Sequence, residues 1–182
     1  MTWWKRLIWV GFAFLALALY ILPMLFQQLA ITYQFPKQWT IGLGLLLIIL
    51  ILLVFVAVAK KTGILSPSGK IFQKGDGKRI ALSLLGMLLI SVLGTVLLRW
   101  LHGEVTTANQ ASLMEEFRRG DIILLSIMLG VLAPIAEEII FRGIIPLKIF
   151  KGYESWGYII GGLLFAIFHG PTNIMSFVIY GG

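Results

Sequence analysis

The chain has no cysteine, which excludes disulfides and thiolate chemistry. Charge is also scarce. Asp, Glu, Lys and Arg make up 13% of the 182 residues and hydrophobic residues 59%, far from the balance of a soluble domain. With two histidines there is no His-Glu-x-x-His zinc motif. There is no Gly-x-Ser-x-Gly elbow, no well-placed Ser/His pair, no nucleotide-binding loop, no internal repeat and no low-complexity segment. The net charge of +7 would suit nucleic acid, but the basic residues lie in short segments between apolar runs. That pattern sets membrane orientation, and no nucleic-acid partner is expected.

What the chain does have is long apolar runs. A span needs roughly 20 apolar residues. Runs at 7–26, 40–59, 80–101, 121–143 and 155–169 meet or approach that length, and a sixth begins at Asn173 and continues to Gly182. The first lacks a small-residue cleavage site, so it reads as an uncleaved span, with Pro23 as its kink. Spans in lipid must satisfy their own backbone, so all are expected to be helices. The predicted fold is an all-α polytopic transmembrane bundle of five to six spans, forming one membrane domain over 1–182. Residues 1–120 supply three N-terminal spans and 121–182 a motif-bearing core.

Lys5 and Arg6 place the N-terminus in the cytoplasm. The 60–79 segment, with Lys60, Lys61, Lys70, Lys74, Lys78 and Arg79, follows on the same side, as does 144–154 with Lys148 and Lys151. The 27–39 and 102–120 segments are expected as outer loops, His102 among them. Five of the six tryptophans, Trp3, Trp4, Trp39, Trp100 and Trp156, lie near span ends, as an interfacial belt would.

The stretch APIAEEIIFRG, 133–143, breaks the apolar pattern with Glu137, Glu138 and Arg142. A charged group at the bilayer centre costs about 2.5–3.5 kcal/mol on insertion scales, so three need compensation or a purpose. Glu138 and Arg142 stand at i, i+4 and can pair. Glu137 points roughly 100° away on a 3.6-residue turn and needs another partner or a proton. His169 is a candidate. A helical hairpin bent beside Gly152 sets both residues at similar depth, on the order of 24 Å from the fold if helix is continuous. Gly157 with Gly161, and Gly162 with Ala166, are small-residue pairs that let helices approach closely. Gly170 and Pro171 end the helix just after His169.

A carboxylate and an imidazole in a membrane cavity suit water activation. The acid takes a proton from water and returns it, while the imidazole orients water, supports an oxyanion or binds a metal. Two ligands are too few for a closed metal site.

Glu137-Glu138-x-x-x-Arg142, followed on the next helix by Phe165-x-x-x-His169, resembles the CPBP family of intramembrane proteases, also called Abi. That family includes type II CAAX prenyl endopeptidases and bacteriocin-processing or bacteriocin-immunity proteins. The resemblance covers about residues 121 to 182; the earlier spans match only as generic membrane helices. It implies an intramembrane endopeptidase in a prokaryotic cell membrane, cutting lipidated, leader-type or small membrane peptides. By motif position Glu137 is the general base, Glu138 its supporting carboxylate and Arg142 the ion partner of Glu138. Phe165 shapes the site and His169 holds water or the oxyanion. No cofactor is required on this reading; a divalent metal such as zinc, if used, would take Glu137 and His169. The family's later His-x-x-x-Asn motif has no match here, and helices carrying it, with part of the catalytic site, are expected beyond Gly182. The alternative reading is a non-catalytic immunity or membrane-protein-binding member of the same fold; a proton-coupled carrier using Glu137 and His169 as a relay would show more intramembrane polar residues and internal symmetry than this sequence has. Substrate identity and oligomeric state are not encoded in these motifs.

Overall fold

The structure is a computed structural model that describes residues 2–65, 75–103, 107–171 and 173–181. Lys70, Lys74 and Thr106, and the side chain of His102, lie outside the described residues. Every element within them is helical: α1 Trp3–Thr32, α2 Lys37–Lys61, α3 Asp76–His102, α4 Ala108–Arg119, α5 Ile122–Ile149, α6 Glu154–Phe168 and α7 Ile174–Gly181. Four of these, α1, α2, α3 and α5, are long and apolar enough to cross a membrane. The chain is an all-α, multi-pass membrane protein. The fifth and sixth expected spans are helices of 15 and 8 residues, because Gly170, at φ +59°, and Pro171 separate them.

The chain divides into two compact units, Met1–Leu65 with Met114–Gly161, and Ser66–Leu113 with Gly162–Gly182. In the first, α1 lies against α2 and α5, and the core is Ile48, Phe55, Leu124, Leu132, Ile140 and Ile144. Large apolar side chains elsewhere face outward, as lipid solvation permits. All five belt tryptophans are exposed.

Glycines set the approach distances. A Cβ at Gly44 would meet the Leu124 side chain at 2.7 Å. One at Gly157 would stand 2.5 Å from Pro146 Cα, and one at Gly161 2.5 Å from the Phe141 carbonyl oxygen. The predicted Gly157/Gly161 pair is therefore where α6 begins packing against α5. The hairpin bends where expected: Gly152 adopts φ +90° and the Tyr153 amide bonds the Phe150 carbonyl at 2.7 Å.

Two expected loops are more helical than predicted. Residues 27–32 extend α1, since Gln28 donates to both carboxylate oxygens of Glu116, at 2.7 and 2.6 Å, which offsets the polar composition. Gln27 is buried beside Gly120, with neither amide atom partnered among the described residues. The 102–120 segment contains α4, which buries no residue and carries its own Glu115–Arg119 pair at 2.7 Å. Its lack of any apolar run hid it.

Basic residues of the first unit meet at one end. Arg6 donates to the carbonyls of Ile149 and Lys151 at 3.2 and 3.1 Å, and Lys148 donates to the Thr62 carbonyl. In the second unit α7 packs on α3, with Ile179 filling the space at Gly94.

Candidate functional site

Helix α5 carries the acidic motif and is wound unusually. Asp121 caps it, accepting from the amides of Ile123 and Leu124 at 3.0 and 3.2 Å. Met128–Leu132 and Glu138–Ile149 are π-helical, so that the Ala133 amide bonds Met128 and the Phe150 amide bonds Ile145 at 3.0 Å. Pro134 and Pro146 explain the winding. Each lacks an N–H, and its ring would strike the carbonyl four residues back in a regular α turn. A wider turn relieves that clash, and such turns recur at functional sites.

Glu138 and Arg142 pair at 3.1 Å, as the spacing predicts. Both are exposed, with side chains 61% and 72% accessible, so the pair is not a core salt bridge. Glu137 points elsewhere and is half-buried. Its Oε1 accepts a hydrogen bond from the Tyr20 hydroxyl at 3.1 Å, reaching from α1 across 117 positions of sequence. Tyr20 escapes the sequence reading. Its one signal is a phenol in the middle of an apolar span, well away from either interface, where a tyrosine needs a partner.

His169 lies in the second unit. Its Nδ1 is 2.9 Å from the Phe165 carbonyl oxygen, and its ring contacts Phe165 at 4.3 Å between centroids. The motif residues Phe165 and His169 are thus in direct contact. On another side, Tyr180 of α7 stacks nearly parallel to the imidazole, at 4.6 Å and 17°. The Tyr180 hydroxyl lies 2.7 Å from Thr107 Oγ1 and accepts from Asn109 Nδ2 at 3.3 Å. Asn173 caps α7, accepting from the Ser176 amide at 2.8 Å while its own amide donates to the Ser176 hydroxyl at 3.1 Å.

Two parts of the candidate site are therefore assembled within their own units: Glu137 with Tyr20 and Glu138 with Arg142 in the first, Phe165 with His169 in the second. Among the described residues no three His, Cys, Asp or Glu side chains gather as metal ligands.

Comparison with known proteins bears on the same segment. The chain is 32% identical over 95 residues to the UPF0177 protein YvdC of Lactococcus lactis subsp. lactis (strain IL1403), covering 52% of this chain and 36% of that protein. The match thus spans little more than a third of that relative's length. No solved structure matches. Residues 119–182 match the family model described as type II CAAX prenyl endopeptidase Rce1-like, so this segment, with both motifs inside it, carries the resemblance to the CAAX-protease family.

Proposed function

We propose that the protein is an intramembrane endopeptidase that hydrolyses a peptide bond with a glutamate-activated water. The supporting observation is Glu137, a half-buried carboxylate in an apolar helix with a phenol on one oxygen. A carboxylate in that setting has the chemistry to take a proton from water. The resulting hydroxide adds to the scissile carbonyl. As the tetrahedral intermediate collapses, the proton on Glu137 passes to the departing amine. His169 holds the water or the developing oxyanion, Phe165 shapes the wall beside it, and Glu138 with Arg142 fixes the polar edge. Substrates are lipidated, leader-type or small membrane peptides in a bacterial membrane, and the basic end with Lys5, Arg6 and Lys148 faces the cytoplasm.

The test uses the full chain in lipid nanodiscs with a prenylated peptide ending in a CAAX sequence. Wild type is expected to release the C-terminal tripeptide, and Glu137→Gln to slow release by roughly 10²-fold or more. Equal cleavage by wild type and Glu137→Gln overturns the assignment. Binding without cleavage by both identifies the non-catalytic, partner-binding member of this fold.

A further inference from the structure

The second unit extends the Phe165/His169 motif with three residues that neither motif includes, Tyr180, Thr107 and Asn109. The Phe165 carbonyl lies on Nδ1, the Phe165 ring packs against the imidazole, and Tyr180 covers a face of it. Thr107, only 2% exposed, lies against the Tyr180 hydroxyl together with Asn109. Asn109 Nδ2 donates to the Tyr180 oxygen. Thr107 Oγ1 accepts from the Gln110 amide at 3.3 Å and shares a hydrogen bond with the same phenol, in which either hydroxyl can donate.

A carbonyl oxygen only accepts. A ring nitrogen 2.9 Å from one must therefore carry the hydrogen. A neutral His169 so held is the Nδ1–H tautomer, and its Nε2 has a bare lone pair. A ring gripped by aromatic groups cannot turn over to exchange the two nitrogens without displacing Tyr180, which is tied through its hydroxyl to the segment preceding α4.

We propose that Tyr180, anchored by Thr107 and Asn109, is a positioning residue that locks His169 as the Nδ1–H tautomer and leaves Nε2 as a hydrogen-bond acceptor. This rests on the endopeptidase reading for its catalytic meaning, and it selects between the two roles given to His169 there. A neutral imidazole with a bare Nε2 accepts a hydrogen from the attacking water. It has no hydrogen on that nitrogen to give an oxyanion. His169 is then a water-orienting group in the ground state, and Tyr180 acts on the reaction only through it.

The tautomer is read directly by nitrogen NMR of the ¹⁵N-histidine-labelled full chain in nanodiscs. The sample is held at about pH 9, above the ordinary imidazole range. The signal is assigned by its loss in His169→Gln. Wild type is expected to show Nδ1 protonated and Nε2 bare. Tyr180→Leu, which removes both the stack and the anchor, is expected to move most of the population to the Nε2–H form. Thr107→Val keeps the aromatic ring and releases only its anchor, and is expected to shift the population less, in the same direction. Protonated Nε2 in wild type overturns the proposal. So does an unchanged signal in folded Tyr180→Leu or, where that variant does not fold, in Thr107→Val. Cleavage gives a separate readout: Thr107→Val is expected to lower kcat about tenfold with KM unchanged, as a misplaced group does. A chain that cuts no peptide but shows the tautomer pattern fails the endopeptidase reading and keeps the positioning role. A chain that cuts peptide with Nε2 protonated does the opposite.

Discussion

Glu137 and His169 are held in different ways. The carboxylate accepts a hydrogen bond from a phenol on a helix far earlier in the chain, and it stands between two π-wound stretches of its own helix. The imidazole is clasped by ring faces and by a carbonyl of its own helix. A hydrogen bond from a neutral donor fixes direction without cancelling the carboxylate's charge. Ring faces fix the plane and, with the carbonyl, the tautomer. A base that must change protonation state suits the first arrangement, and a water-holding group that must keep its state suits the second. The adjacent carboxylates repeat the contrast: Glu138 is committed to Arg142 and exposed, whereas Glu137 is half-buried against a neutral donor.

The contrast is most easily broken at the glycines that bring α6 onto α5. Gly161→Ala puts a methyl group 2.5 Å from a backbone oxygen that has no rotamer to change. It is expected to cost about 1–3 kcal/mol, read as a lower unfolding midpoint in detergent. Gly11→Ala is the control. Among the described residues, nothing beyond its own helix backbone lies within 4 Å of its would-be Cβ, and it is expected to be neutral or to gain up to about 1 kcal/mol from helix propensity.

Tyr20→Phe removes the tie on Glu137 and keeps the ring. It is expected to cost about 0.5–1.5 kcal/mol of stability and to lower kcat while KM holds. Cleavage as fast as wild type would show that Glu137 needs no fixed direction. Glu138→Gln sharpens the comparison of the two acids. If the exposed pair is bathed by water, as a wet cavity requires, the loss is about 0.3–0.5 kcal/mol. A loss of about 3 kcal/mol or more would put the pair in lipid instead.

The smallest effect concerns Glu154, at the turn outside the spans. The Gly152 amide, donating at 2.8 Å, and its own amide hold its carboxyl below the usual carboxylate range. A depressed acid stabilises the fold above its unfolded pKa, and that contribution disappears as pH falls through the lower, folded value. Unfolding midpoints are thus expected to drop more steeply below about pH 4 in wild type than in Glu154→Gln.

Much of this is legible in the sequence. Apolar runs locate the long helices because a membrane leaves no alternative way to satisfy a backbone. Gly152 marks the bend, and the Gly157/Gly161 pair marks the close contact, because each is a local steric requirement. The i, i+4 spacing finds Glu138 with Arg142 for the same reason, and it separates Glu137 from them. Tyr20 and Tyr180 are not legible. Their partners lie on other helices, and in a sequence one aromatic inside an apolar run looks like any other. Helix α4 is hidden for the opposite reason, since a polar helix with no buried face leaves no periodic trace.

The π winding of α5 has one more consequence. A π turn stores a residue more than the α turn it replaces, so α5 has spare length. The Tyr20 contact at Glu137 and the Lys148 contact with Thr62 clamp the two ends of that stretch. Deleting one residue between Arg142 and Pro146 would let it tighten to α without moving either clamp far along the axis. Glu138 and Arg142 would still stand at i, i+4 and stay paired, and the slack would come out as a rotation of the turn that carries Pro146.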